Sequence, residues 1–144
     1  GEQILALSQS YIKSGTVFFC DMDDLKKIND TYGHHMGDIA IQTVALALKE
    51  TFSLNDVIGR LGGDEFAVIS GEVNISEYEN KYHKVLERCE TLVKEKGLPF
   101  SLTVSMGAVP FSSKDSSLQK LLSNADEKQY EIKKCKKANK QNNR

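Results

Sequence analysis

The sequence predicts an α+β layer fold in which helices pack on one face of a mixed central sheet. Three observations lead there. An uninterrupted apolar run at residues 16–20 reads as a strand buried on both faces. Two short apolar runs, at 56–61 and 66–70, flank Gly62-Gly63-Asp64-Glu65 and read as a β-hairpin. Several intervening segments carry apolar residues at helical spacing. The expected element order is α-β-α-α-β-β-α-β-α.

Residues 4–13 read as the end of a helix closed by Ser14-Gly15, and the central strand at 16–20 follows. Asp23 or Asp24 is placed to cap a short helix beyond it. Ile41, Val44, Ala45, Leu48 and Phe52 define the next helix, with Asp38 at its start, where the helix dipole favours an acid. In the hairpin, the glycines are expected to supply the positive φ of a tight connection. Tyr82, Val85, Leu86, Cys89, Leu92 and Val93 mark another amphipathic helix. Residues 100–108 then alternate apolar with Ser101, Thr103 and Ser105, as in a half-buried strand. Leu118, Leu121, Leu122, Ala125, Gln129 and Ile132 define a last helix running into a lysine-rich tail. This arrangement is of the ferredoxin or polymerase-palm kind.

A length of 144 residues suits one domain, read here over 1–144. With 40% apolar and 27% charged residues and two prolines, the chain lies outside the disordered and collagen-like classes. The apolar run Val17-Phe18-Phe19-Cys20 is far short of the ~20 residues that span a bilayer, and no signal-peptide pattern precedes it. Neither secretion nor direct membrane insertion is expected. Cys20, Cys89 and Cys135 form no C-x-x-C pair, which fits a reducing cytosol, with two core residues and one surface thiol. Residues 133–144 hold six Lys/Arg and no acid, leaving 13 basic against 20 acidic residues in 1–132, a body at −7. An acidic body makes a poor general nucleic-acid binder.

Asp21, Asp23 and Asp24 crowd the carboxyl end of the buried strand. Like charges at that spacing oppose one another's ionisation unless a cation neutralises them, and oxygen-only ligands select Mg²⁺ or Ca²⁺. The alternative is a strand-end turn whose Asp23 or Asp24 caps the next helix. The hairpin adds Asp64-Glu65, and a hairpin beside the central strand would bring this pair near Asp21. Two acid clusters converging from adjacent strands suit Mg²⁺ and a nucleoside triphosphate.

Arg60-Leu61-Gly62-Gly63-Asp64-Glu65-Phe66 resembles the signature of the GGDEF family, the diguanylate cyclases. The run Asp21 to Asp30, then Tyr32-Gly33-His34, Gly37-Asp38, Ser105-Met106-Gly107 and Ala125-Asp126 with Tyr130 and Lys133, resembles the family's other blocks in order and spacing, over about residues 15–137. The resemblance implies a nucleotidyl cyclase fold with a catalytic β-hairpin. It also implies GTP as substrate with two Mg²⁺ (or Mn²⁺) per GTP, and cyclic di-GMP made where two such domains meet as a transient homodimer. By the same resemblance Asp21, Asp64 and the Met22 carbonyl are metal ligands. Asp64, Glu65 and Lys26 form the catalytic group, with Glu65 helping to deprotonate the attacking 3′-hydroxyl. Asn29 and Asp38 read guanine. Lys26 and Lys133 meet phosphate, helped by backbone N–H groups of Asp24 and Leu25. Gly62 and Gly63 let the backbone approach the nucleotide.

The family's opening block is absent, so the chain is expected to begin inside the first helix, with any sensor domain or membrane anchor upstream and the domain itself in the cytoplasm. Leu25 replaces the usual phenylalanine, Lys136 a glycine, and Lys137 an arginine that helps hold phosphate. The family's allosteric Arg-x-x-Asp is Ser53-Leu54-Asn55-Asp56 here. His34 and His35 are expected in a glycine-flanked loop without a metal or catalytic role. Two other readings stay beside the cyclase. One is a GTP-binding regulatory module without turnover, which differs only in output. The other is a palm-type polymerase, disfavoured by the acidic body and the lack of length for fingers or thumb.

Overall fold

A computed structural model describes residues 14–71 and 73–112. Their elements are β1 (Ser14–Met22), α1 (Leu25–Tyr32), α2 (His34–Thr51), β2 (Val57–Gly62), β3 (Glu65–Ser70), a 3₁₀ turn (Ile75–Glu77), α3 (Tyr78–Lys96) and β4 (Val104–Ser112). The helices expected at residues 4–13 and around Leu118–Ile132 lie outside the described residues, as do Lys133, Lys137 and Cys135.

The strands form one sheet in the order β2-β3-β1-β4. Every pairing among the described residues is antiparallel, where a mixed sheet was expected. The hairpin is the cause. It turns β3 back between β1 and β2, which run the same way, while β3 and β4, which also share a direction, lie on opposite sides of β1. The result is the α+β layer architecture itself, with β1 central. Phe18, Cys20 and Met22 of β1, Phe66 and Val68 of β3, and Val104, Met106 and Ala108 of β4 face Ile28, Val44, Leu48, Val85 and Cys89 from the three helices. The opposite face buries Phe19 and Val109, with Leu61 against them. Cys20 and Cys89 are buried free thiols, and burial pushes Cys89 up to about 11, far from nucleophilic. No helix among the described residues is long and apolar enough to cross a membrane.

Three local expectations change. A single residue, Gly33, joins α1 to α2 at φ 93°, a conformation that favours glycine, and the chain re-enters a helix at once. His34 and His35 therefore lie in the first turn of α2, both exposed, and not in a loop. For the same reason Asp38 stands in the second turn and not at the helix start, and no acid occupies the first turn. The strand expected at 100–108 runs instead over Val104–Ser112 and is buried on both faces from Val104 to Val109. Ser105 is fully buried because its hydroxyl has a carboxylate to donate to, a pairing that a polar-out pattern cannot reveal. Tyr78 and Tyr82 of α3 donate to the Met106 and Val104 carbonyls, tying α3 to β4.

Candidate functional site

The site grows from the junction of β1 and β3. Antiparallel register sets Asp21 directly opposite Glu65, and the Met22 N–H donates to the Asp64 carbonyl at 2.9 Å. One carboxylate oxygen from each of Asp21, Asp64 and Glu65 therefore lies within 4.8 Å of the others, all three side chains half-buried. Three hard oxygen donors converging at that distance form a cluster whose chemistry suits a divalent cation such as Mg²⁺. The neighbouring strands bring together what the sequence held 43 and 44 positions apart.

The hairpin tip differs from expectation in its backbone. Gly62 pairs with Glu65 across the turn, and a register shift falls between Arg60 and Gly62. Neither Gly62 nor Gly63 has positive φ. The bulge takes up the twist that a primed turn would otherwise supply, and the space around both glycines is open. A Cβ on Gly63 would meet nothing within 4 Å, and one on Gly62 only Glu65 Oε2 at 4.0 Å. Arg60 holds this open turn. Its guanidinium donates to the Gly62 carbonyl at 3.2 Å and to the Gly63 carbonyl at 3.2 and 2.9 Å. Sequence reasoning gave Arg60 no role. The signal was an arginine two positions before a Gly-Gly turn whose carbonyls need donors.

The three consecutive acids of the β1 end divide their work. Asp21 joins the carboxylate cluster. Asp23 accepts from Thr103 Oγ1 and Ser105 Oγ, each at 2.8 Å, while its N–H donates to the Thr103 carbonyl at 3.0 Å. Asp24 occupies the N-cap of α1 without a side-chain capping bond, exposed, at φ 61° and ψ 25°. It is the sole non-glycine residue with positive φ among those described. Asp24 thus stands at the cap position without a side-chain capping bond, and the Asp23 carboxylate is engaged by β4 and the residue just before it, Thr103. A left-handed aspartate stores strain, which accumulates at ligand-handling turns, and it aims the start of α1. Leu25 and Lys26 begin that helix, Lys26 exposed. Asn29 is half-buried against α2, and Asp38 is exposed one residue beyond Gly37. Asp23 is the second residue sequence reasoning undervalued. Its signal was the alternating hydroxyls Thr103 and Ser105 in an otherwise apolar stretch.

Away from this junction, residues 53–56 close on themselves. The Ser53 N–H donates to Asp56 Oδ2, the Asp56 N–H to the Ser53 carbonyl, both at 3.0 Å, and the Asn55 N–H to Ser53 Oγ at 3.2 Å. Leu54 at its tip is fully exposed.

Comparison with known proteins agrees with this geometry. A family described as "Diguanylate cyclase, GGDEF domain" matches residues 2–139. The probable diguanylate cyclase DgcC of Escherichia coli is 36% identical over 85% of the chain, and diguanylate cyclase A of Treponema denticola 31% identical over 92%. The chain spans about a third of the length of these relatives, 33% and 36% respectively. Among solved structures, the GGDEF domain of DgcB from Caulobacter crescentus, in complex with c-di-GMP, superposes with a TM-score of 0.75 at 24% identity over 92% of this chain and 79% of that one. A sensory box/GGDEF family protein from the same species gives 0.75 at 26% identity, covering 92% and 89%. The match over nearly the whole sequence, the shared fold and the acid-bearing hairpin lead to one conclusion: the chain belongs to the GGDEF domain family of diguanylate cyclases.

Proposed function

We propose that this domain is an active diguanylate cyclase, joining two GTP molecules into cyclic di-GMP. In each of two equivalent steps a 3′-hydroxyl oxygen bonds to the α-phosphorus of the facing GTP, the bond to the β-phosphate oxygen breaks, and pyrophosphate leaves. The observation that carries this reading is the convergence of Asp21, Asp64 and Glu65 within 4.8 Å across the β1–β3 register.

The donor set is oxygen only, which fits Mg²⁺ or Mn²⁺, and Asp21, Asp64 and the Met22 carbonyl would hold two such ions. Bound there, they would neutralise the triphosphate and polarise its α-phosphorus. Glu65, beside them, accepts the proton of the attacking hydroxyl. Backbone N–H groups at Asp24 and Leu25 receive phosphate oxygens at the start of α1, where the dipole favours anions. Lys26 adds a compact positive charge, and Lys133 and Lys137 extend the phosphate contacts. The open side of Gly62 and Gly63 leaves room for the nucleotide at the turn. Asp38 accepts from guanine N1–H and the 2-amino group, and the Asn29 carboxamide serves N3 and that amino group. The partner is a second copy of this domain, because each site holds one half of the reaction. A cytoplasmic setting and an upstream sensor complete the proposal, in line with relatives about three times as long.

Incubation with GTP and Mg²⁺ followed by product analysis tests the reading, and cyclic di-GMP is the expected product. Calorimetry should show metal-dependent GTP binding that Asp21→Ala abolishes. Unchanged GTP affinity in that variant would remove the metal assignment. GTP binding without product would leave a regulatory module.

A further inference from the structure

We propose that Gly37 is a positioning residue for nucleotide selectivity, kept free of a side chain so that the Asn29 carboxamide can lie in the space a Cβ would fill. The inference rests on the assignment of Asn29 and Asp38 to guanine.

Gly37 is buried within α2, one turn from its start, where glycine is among the least favourable residues. Its backbone gives no reason for glycine. Its φ is not positive, and its N–H makes an ordinary helical bond to the Gly33 carbonyl at 3.1 Å. Space gives the reason. A Cβ at Gly37 would lie 1.7 Å from Asn29 Oδ1, 2.8 Å from Cγ and 3.4 Å from Nδ2. The carboxamide of α1 is thus laid against the bare backbone of α2, immediately beside the residue that carries the Asp38 carboxylate. Both guanine-reading groups are referred to the same stretch of helix. Gly33 makes this possible by joining the helices with a single residue.

Any side chain at position 37 must displace Asn29. The displaced atoms are the end of a flexible side chain, so the fold survives and the carboxamide swings away. A substitution that ordinary helix propensity favours should therefore damage recognition without damaging the domain.

A double-mutant cycle over Gly37→Ala and Asn29→Ala tests this, with two readouts. The first is the melting temperature without nucleotide. Gly37→Ala should raise it more in the Asn29→Ala background, where nothing has to move, than in the parent. Equal increments in both backgrounds would overturn the packing argument. The second is calorimetric affinity for GTP and ATP. Gly37→Ala should weaken GTP binding about tenfold, the scale of one or two lost hydrogen bonds, with ATP binding unchanged. Added to Asn29→Ala it should weaken GTP binding no further. An equal loss in both backgrounds would mean that Gly37 acts by another route, and the inference would fall. A parent that binds GTP and ATP equally would refute the guanine assignment instead, and the melting cycle would still decide whether Gly37 positions Asn29.

Discussion

Replacing Asp23 by alanine removes the acceptor of two hydroxyl hydrogen bonds at 2.8 Å, and the two are unequal. Thr103 is exposed, so water takes over its hydroxyl at little net change, whereas Ser105 is fully buried and loses a charged acceptor. A hydrogen bond to a charged group contributes about 1.5–3 kcal/mol net. With the exposed bond discounted, Asp23→Ala should lower stability by about 2–3 kcal/mol. For a domain of this length that is a fall in melting temperature of roughly 6–10 °C. Asp23→Asn keeps the shape and one acceptor, and should fall between. The contrast lies 41 positions away. Asp64→Asn, measured in EDTA, relieves repulsion within the three-carboxylate cluster and should leave stability unchanged or raised. Thermal unfolding followed by circular dichroism, with chelator throughout, makes the comparison. If Asp23→Ala melted within ~1 °C of the parent, the view that Asp23 fastens the β1 end to β4 would be wrong.

Further outcomes are expected. Fusion to a dimeric coiled coil should increase cyclic di-GMP production per chain by raising the effective concentration of a second domain. No gain in any linker register would count against a two-domain reaction. Cyclic di-GMP should not bind at low micromolar concentration away from the GTP pocket, since Ser53 cannot supply the guanidinium fork and Asp56 already accepts the Ser53 N–H. Binding that Asp56→Ala abolished would contradict this. Tyr78 is pushed up to about 12, first by burial and then by Tyr82 and Glu79. Its folded value lies above its unfolded value of 10.0, so the stability it contributes is complete below pH 10 and is lost as pH rises through about 12. Tyr78→Phe should flatten that part of the stability profile, as measured by urea unfolding across the range.

The parts of the fold legible in the sequence are those where local pattern and tertiary environment agree. Val17 to Cys20 is apolar throughout because a central strand is buried on both faces, and the hairpin acids are legible because turn chemistry brackets them. The convergence of Asp21 with Asp64 and Glu65 followed from placing that hairpin beside that strand. Other features depend on partners far along the chain. Ser105 looks like a solvent-facing residue until Asp23, 82 positions away, is found to accept its hydroxyl. The break between α1 and α2 rests on a single φ at Gly33, which leaves hydrophobic periodicity almost untouched. The turn at Gly62-Gly63 illustrates a third case, in which the residue type was expected for its torsional freedom and neither glycine adopts positive φ.

The sheet order also constrains the sequence of events in folding. β2 and β3 are joined by a two-residue turn and can pair as soon as both exist, whereas β1 finds its second neighbour only in β4, with Asp23 meeting Thr103 across 80 positions. Loop closure over that span is slow compared with forming a hairpin. During synthesis β1 emerges before the strands it pairs with, and although the helices that cover Phe18 precede β4, the edge of β1 that β4 occupies stays unpaired until β4 has left the ribosome. A nascent chain halted before Val104 therefore carries a complete signature hairpin and an apolar strand with one open edge. Such a chain should be a ready target for chaperones and proteases, and the completed domain should not.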